Sequence, residues 1–138
     1  MTAVELVEKG RSERNAGNLT AAADTYKRAA DAFRAAGQPL RFAHAIRHAG
    51  DILQDAGELA TAQSCYEEAL ATYRPHPETP PLDLGNAITG YARLSEKLNH
   101  RRRALHLWKE AFDLYTQCGI QPGIDEARSR LNDLAKHA

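Results

Sequence analysis

Apolar and polar positions along this chain follow the period of a helix, not that of a strand. Ala22, Tyr26, Ala29 and Phe33 form one stripe, and the same order of Ala, aromatic, Ala, aromatic returns as Ala62, Tyr66, Ala69, Tyr73 and as Ala104, Trp108, Ala111, Tyr115. Offsets of four, seven and eleven residues fall on one helical face. The small Ala residues let a neighbouring helix come close, and the aromatics fill the space above and below that contact. A second stripe alternates with the first: Phe42, Ala45, Ala49, Ile52, then Leu84, Ala87, Tyr91, Leu94, then Ile124, Ala127, Leu131, Leu134. Both stripes recur at steps of 40 or 42 residues. Two helix types sharing one period predict stacked helical hairpins.

The punctuation agrees. Gly17 and Gly57 stand just past the ends of two predicted helices, where a left-handed cap is wanted, and Asn99 takes that place in the third copy. Gly37-Gln38-Pro39, Pro75-His76-Pro77 with Pro80-Pro81, and Gln121-Pro122-Gly123 close the three hairpins. Seven helices are predicted, near 2–16, 20–36, 40–56, 59–74, 82–98, 101–118 and 123–137.

The stretch from Gly50 through Gly57, Leu59, Ala62 and Tyr66 to Ala69 resembles the core of a tetratricopeptide repeat, and Gly10, Gly17, Leu19, Ala22, Tyr26 and Ala29 repeat its frame. The period exceeds the usual ~34 residues of that family. It is similar to the longer-helix subtype of kinesin light chains and of regulatory domains in bacterial transcription factors. The resemblance implies an all-α fold: a right-handed superhelical stack of three antiparallel helical hairpins plus a C-terminal capping helix, a TPR-like α-solenoid. The repeats would span about 2–37, 40–76 and 82–118, with the capping helix at about 123–137, all in a single domain over 1–138. The polar outer side of the last helix, with Arg128, Asn132, Asp133 and Lys136, suits a cap, and a monomer or weak homodimer is expected.

Composition narrows the function more than it identifies it. Lys plus Arg and Asp plus Glu both number 18. This balance gives no overall attraction to nucleic acid or to an acidic membrane. Two widely separated cysteines suit a reducing compartment. No run approaches the ~20 apolar residues that span a bilayer, and a cytoplasmic protein is expected. The Ala- and Arg-rich usage would suit a bacterium.

Chemistry-bearing patterns are sparse. His44 and His48 are spaced to grip a metal, but a zinc site needs further ligands, and the residues between them do not form a protease motif. They read as groove-facing polar side chains. Cys65 reads as a packed thiol, without the electropositive setting and His partner of a nucleophile. Neither a serine elbow nor a phosphate-binding loop is present. Arg101, Arg102 and Arg103 are the densest basic run and read as an exposed helix start. The chain is expected to be no enzyme and to need no cofactor.

The resemblance implies that the first helix of each hairpin lines a concave groove that holds peptides. The groove candidates are Arg11, His44, Arg47, His48, Asp51, Asn86, Thr89 and Arg93. Cations outnumber acids among those from the first three helices, which suits an acidic protein or peptide partner through Arg forks. Members that capture chaperone tails use a Lys/Asn clamp, and here Val7, Arg11, His48 and Gly90 stand at clamp positions instead. The expected role is therefore a scaffold or adaptor. The alternatives are a self-assembling structural unit or a regulatory fragment of a larger bacterial signalling or transcription protein. Arg11, Asp51, Arg93 and Asp133 occupy one recurring helical position with alternating sign, which predicts a ladder of ion pairs in which Asp51 meets Arg11, Arg93 or its own i−4 neighbour Arg47.

Overall fold

The computed structural model describes residues 1–137; Ala138, the final residue of the expected domain, lies outside the described residues. The described residues form seven α-helices and no strand: α1 (Ala3–Asn15), α2 (Leu19–Ala35), α3 (Pro39–Asp55), α4 (Leu59–Tyr73), α5 (Pro81–Lys97), α6 (Arg101–Cys118) and α7 (Gln121–Lys136). The chain divides into two compact units, Met1–Pro77 and Glu78–Ala138. In the first, α1 packs on α2, α2 on α3, and α3 on α4; in the second, α5 packs on α6 and α6 on α7.

Local chemistry sets the helix ends. Thr2 and Glu5 form a reciprocal capping box at the start of α1: the Glu5 amide donates to Thr2 Oγ1, and the Thr2 amide donates to the Glu5 carboxylate. Those bonds hold the Glu5 carboxyl below its ordinary range. Gly17, Gly57 and Asn99 all take positive φ, as the turn chemistry predicts, and Asn99 is the only non-glycine residue among those described to do so. The last helix begins two residues earlier than expected, at Gln121. Pro122 lies within its first turn, where a missing N–H costs nothing and the fixed φ is already helical.

The alternating stripes supply much of the core, although Leu84, Leu131 and Leu134 are only half-buried. In the first unit Ala22, Ala29, Ala49, Ala62 and Ala69 are completely buried, and Tyr26, Tyr66 and Tyr73 are buried beside them. Glycines on the preceding helices make room for the rings. A Cβ added at Gly10 would stand 2.9 Å from the Tyr26 ring, and one at Gly50 would stand 3.3 Å from the Tyr66 ring. In the second unit the ring of Tyr115 on α6 lies against Gly85 of α5 and Gly123 of α7. Trp108 is fully buried there and donates its indole N–H to Glu96 at 2.7 Å.

Two substitutions test this packing by urea or thermal unfolding. Gly85→Ala gains about 1 kcal/mol of helix propensity. The new Cβ would meet the Tyr115 ring at 2.5 Å, and overpacking of that kind costs about 1–3 kcal/mol. The expected net result is destabilisation; a more stable variant would show that the ring yields freely. Trp108→Ala is expected to cost about 3–5 kcal/mol, from the cavity it leaves.

Candidate functional site

The expected groove residues separate into two groups with different surroundings. Arg11, His44, Arg47, His48 and Asp51 lie in the first unit, and Asn86, Thr89 and Arg93 in the second.

In the first unit His48 lies against Tyr26. This α2 side chain sits against Gly10 of α1 and stacks on His48 of α3, with ring centroids 5.2 Å apart and planes 19° from parallel. His44, one turn earlier on α3, meets His48 edge-on with centroids 4.6 Å apart. Arg11 and Arg14 of α1 also act electrostatically on His48, as does Arg47 beside it. Arg14 reaches Asp55 at 3.8 Å, which ties α1 to α3 through an ion pair exposed on its carboxylate side.

The acids nearby are already engaged. Asp51 accepts from Arg47 Nη1 at 2.8 Å through one oxygen and from the Tyr66 hydroxyl at 2.5 Å through the other. The Tyr66 hydroxyl in turn accepts from Gln54 Nε2 at 2.8 Å. Glu13 accepts from Thr25 Oγ1 at 2.6 Å. Arg11 is exposed and forms no ion pair with any described residue. Two buried nitrogens, Arg47 Nε and His48 Nδ1, have no hydrogen-bond partner within the protein. Burial, followed by the charges of Arg47, His44, Arg14 and Arg11, pushes the His48 imidazole down to about 3. His48 is therefore neutral at pH 7, in a cationic neighbourhood.

Arg47 is only 8% exposed, so it is a buried strut and not the open groove contact that its spacing predicted. It lies in the turn of α3 that packs on both flanking helices. The expected rung between Arg11 and Asp51 is replaced by the local Arg47–Asp51 pair, because a neighbour one turn away on the same helix reaches the carboxylate at little entropic cost.

The second unit pairs most of its buried and half-buried polar groups internally. Thr89 is buried, with its hydroxyl directed to the Asn86 carbonyl at 3.4 Å, so it too is no open groove contact. Asn86 is half-buried. Arg93 forms a fork with Glu126 on α7, at 3.1 and 2.8 Å. The expected Arg93–Asp133 rung is absent; Asp133 pairs with Arg130 at 2.9 Å. Arg130 also bonds Glu96, the carboxylate that accepts from Trp108, so one acid joins α5, α6 and α7. Sequence reasoning missed Glu96 and Arg130; their only visible signal was one acid and one base amid many. Within the basic run, Arg101 donates to the Leu134 carbonyl at the end of α7, and Arg103 donates to the buried Ser95 hydroxyl at 2.7 Å. Two of the three arginines thus have structural partners.

Among the described residues no group of three or more His, Cys, Asp or Glu side chains is placed to hold a metal ion, and no helix is long and apolar enough to cross a membrane. Cys65 is buried, and burial raises its thiol above the ordinary range, away from the thiolate that a nucleophile needs. No protein-family model matches the chain, and no curated protein matches it in sequence.

The depressed His48 imidazole makes stability depend on pH. The unfolded chain protonates this histidine near its ordinary value of about 6.5, whereas the folded chain resists protonation until about 3. The stabilising contribution is therefore complete above the ordinary value and is lost as pH falls toward the folded one. Between pH 7 and pH 5 the free energy of unfolding is expected to drop by about 1–2 kcal/mol through this residue. Urea unfolding of wild type and His48→Gln at both pH values measures it; an equal drop in the variant would remove His48 as the source.

Proposed function

We propose that this chain is a protein-interaction module of the tetratricopeptide type, and that the α1–α3 face of its first unit binds an acidic segment of a partner protein. The recurrence of both helical stripes at 40 or 42 residues supports the repeat assignment. The observation that carries the binding assignment is the charge imbalance around Tyr26. Arg47, Arg14 and Arg11 all act on His48, which His44 adjoins, while Asp51 and Asp55 are the acids paired there and Arg11 has none. A carboxylate brought by a partner would meet an exposed guanidinium whose planar fork can bind it through two hydrogen bonds. The buried Arg47–Asp51–Tyr66–Gln54 chain beneath holds α3 in register, so the recognising side chains stand on rigid helices and not on loops.

A short labelled peptide alternating Asp and Leu tests this by fluorescence anisotropy. Arg11→Glu removes an exposed cation without touching the core. It is expected to weaken binding about tenfold or more, the equivalent of about 1.4 kcal/mol. Added salt should weaken wild-type binding more steeply than that of the variant. Equal affinities for wild type and Arg11→Glu would place the acidic segment elsewhere.

A further inference from the structure

We propose that the α1–α3 face takes up a proton together with its carboxylate ligand: His48 is neutral in the free protein and becomes an imidazolium when an acidic side chain docks beside it. The inference rests on the acidic-segment assignment above and adds a regulation to it, so that one face binds its partner more tightly in acid.

The geometry leaves His48 short of a counter-charge on every side. From α1 it faces Arg11 and Arg14, and the latter shares Asp55 at 3.8 Å. From α2 it faces the stacked Tyr26 ring. On its own helix it faces His44 and Arg47. The titratable groups that α4 brings to this end of α3 are Cys65, packed at Gly50, and Tyr66, which spends a hydroxyl bond on Asp51. Asp51 itself is held between Arg47 and Tyr66 and is not offered to the imidazole. His48 Nδ1 is buried and has no hydrogen-bond partner within the protein.

An incoming carboxylate changes two of these conditions together. It neutralises the Arg11 and Arg14 fields that oppose a charge on His48, and it brings an opposite charge next to the half-buried ring. A close opposite charge raises a histidine by about 1–3 units. From the free value of about 3, this brings protonation into the range of mildly acidic solution. Linkage is reciprocal: if the ligand favours the proton, the proton favours the ligand by the same factor. The peptide carboxylates remain largely ionised at pH 5, because the ordinary aspartate value is about 3.9.

The full chain and the Asp/Leu peptide test the proposal. NMR titration of the His48 ring, with and without saturating peptide, reads the coupling in wild-type protein. The expected result is a midpoint about two to three units higher in the complex. Binding is expected to tighten about two- to tenfold between pH 7 and pH 5. Because His44 is a second, exposed imidazole in contact with His48, the affinities are measured in a His44→Gln background, and adding His48→Gln should abolish the remaining rise. Identical His48 midpoints with and without bound peptide would overturn the coupling while leaving the binding face intact. A midpoint shift confined to His44 would overturn the assignment to His48. Absence of peptide binding at both pH values would remove the face itself, and the coupling with it. Should His48→Gln fail to fold, the wild-type titration still decides.

Discussion

The structure depends on how closely an aromatic ring can approach a neighbouring helix backbone. Tyr26 against Gly10, Tyr66 against Gly50 and Tyr115 between Gly85 and Gly123 are the same device used in both units. A glycine inside a helix sacrifices about 1 kcal/mol of propensity relative to alanine. The return is that a ring of large apolar area seats directly on the helix, with alanines on its own helix filling the flanks at full burial. Interiors packed in this way have few voids, and a side chain wedged into them has little freedom to move.

This rigidity connects packing to the candidate site. Tyr26 belongs to the core stripe of α2, and the same ring touches Gly10 on α1 and stacks on His48 on α3. One residue thus sets the spacing of the two helices whose cations converge. Likewise Tyr66, a core residue of α4, uses its hydroxyl to hold Asp51, which holds Arg47. The aromatic side chains act twice, as apolar filler and as a polar handle that reaches the edge of the core. A substitution in either ring would therefore disturb the polar pairing of α3 and stability together.

The helices and their turns were legible in the sequence because they depend on near neighbours: a 3.6-residue period, glycine or asparagine at positive φ, proline in a first turn. The polar pairings were much less so. The repeating positions of Arg11, Asp51, Arg93 and Asp133 suggested pairs along a ladder; Asp51 took the local one of its three expected partners, Arg47, while Arg93 chose Glu126 and Asp133 chose Arg130. Repeat registry places backbones, whereas a long arginine side chain reaches any acid within several ångströms, on its own helix or the next. The burial of Arg47 and Thr89 was hidden for a related reason. Helical spacing assigns a residue to a face but does not say how far the flanking helices cover that face. Conversely, the histidine pair was visible in the sequence, but its lack of a counter-charge came into view only once Arg11 and Arg14 of α1 were placed beside it.

Comparing the two units sharpens the physical meaning of that shortage. Leaving a buried donor or acceptor unpaired costs about 1–3 kcal/mol, and natural sequences generally remove such conflicts unless function retains them. The second unit removes them thoroughly: Glu96 is met by Trp108 and Arg130, Arg93 by Glu126, Ser95 by Arg103, and the end of α7 by Arg101. This chain therefore has the means to pair its polar groups across helices. In the first unit the same kinds of residues leave Arg47 Nε and His48 Nδ1 without partners and Arg11 without an acid. A single acid in the Arg11 neighbourhood would relieve the imbalance, and the α1 sequence offers Glu8 and Glu13 close by. Glu13 turns to Thr25 instead, and Glu8 is not among the groups that act on His48. Around His48 the deficit is of one sign: Arg47, Arg14 and Arg11 all oppose a positive charge there. An acidic segment carried by another protein is the kind of group that would complete it.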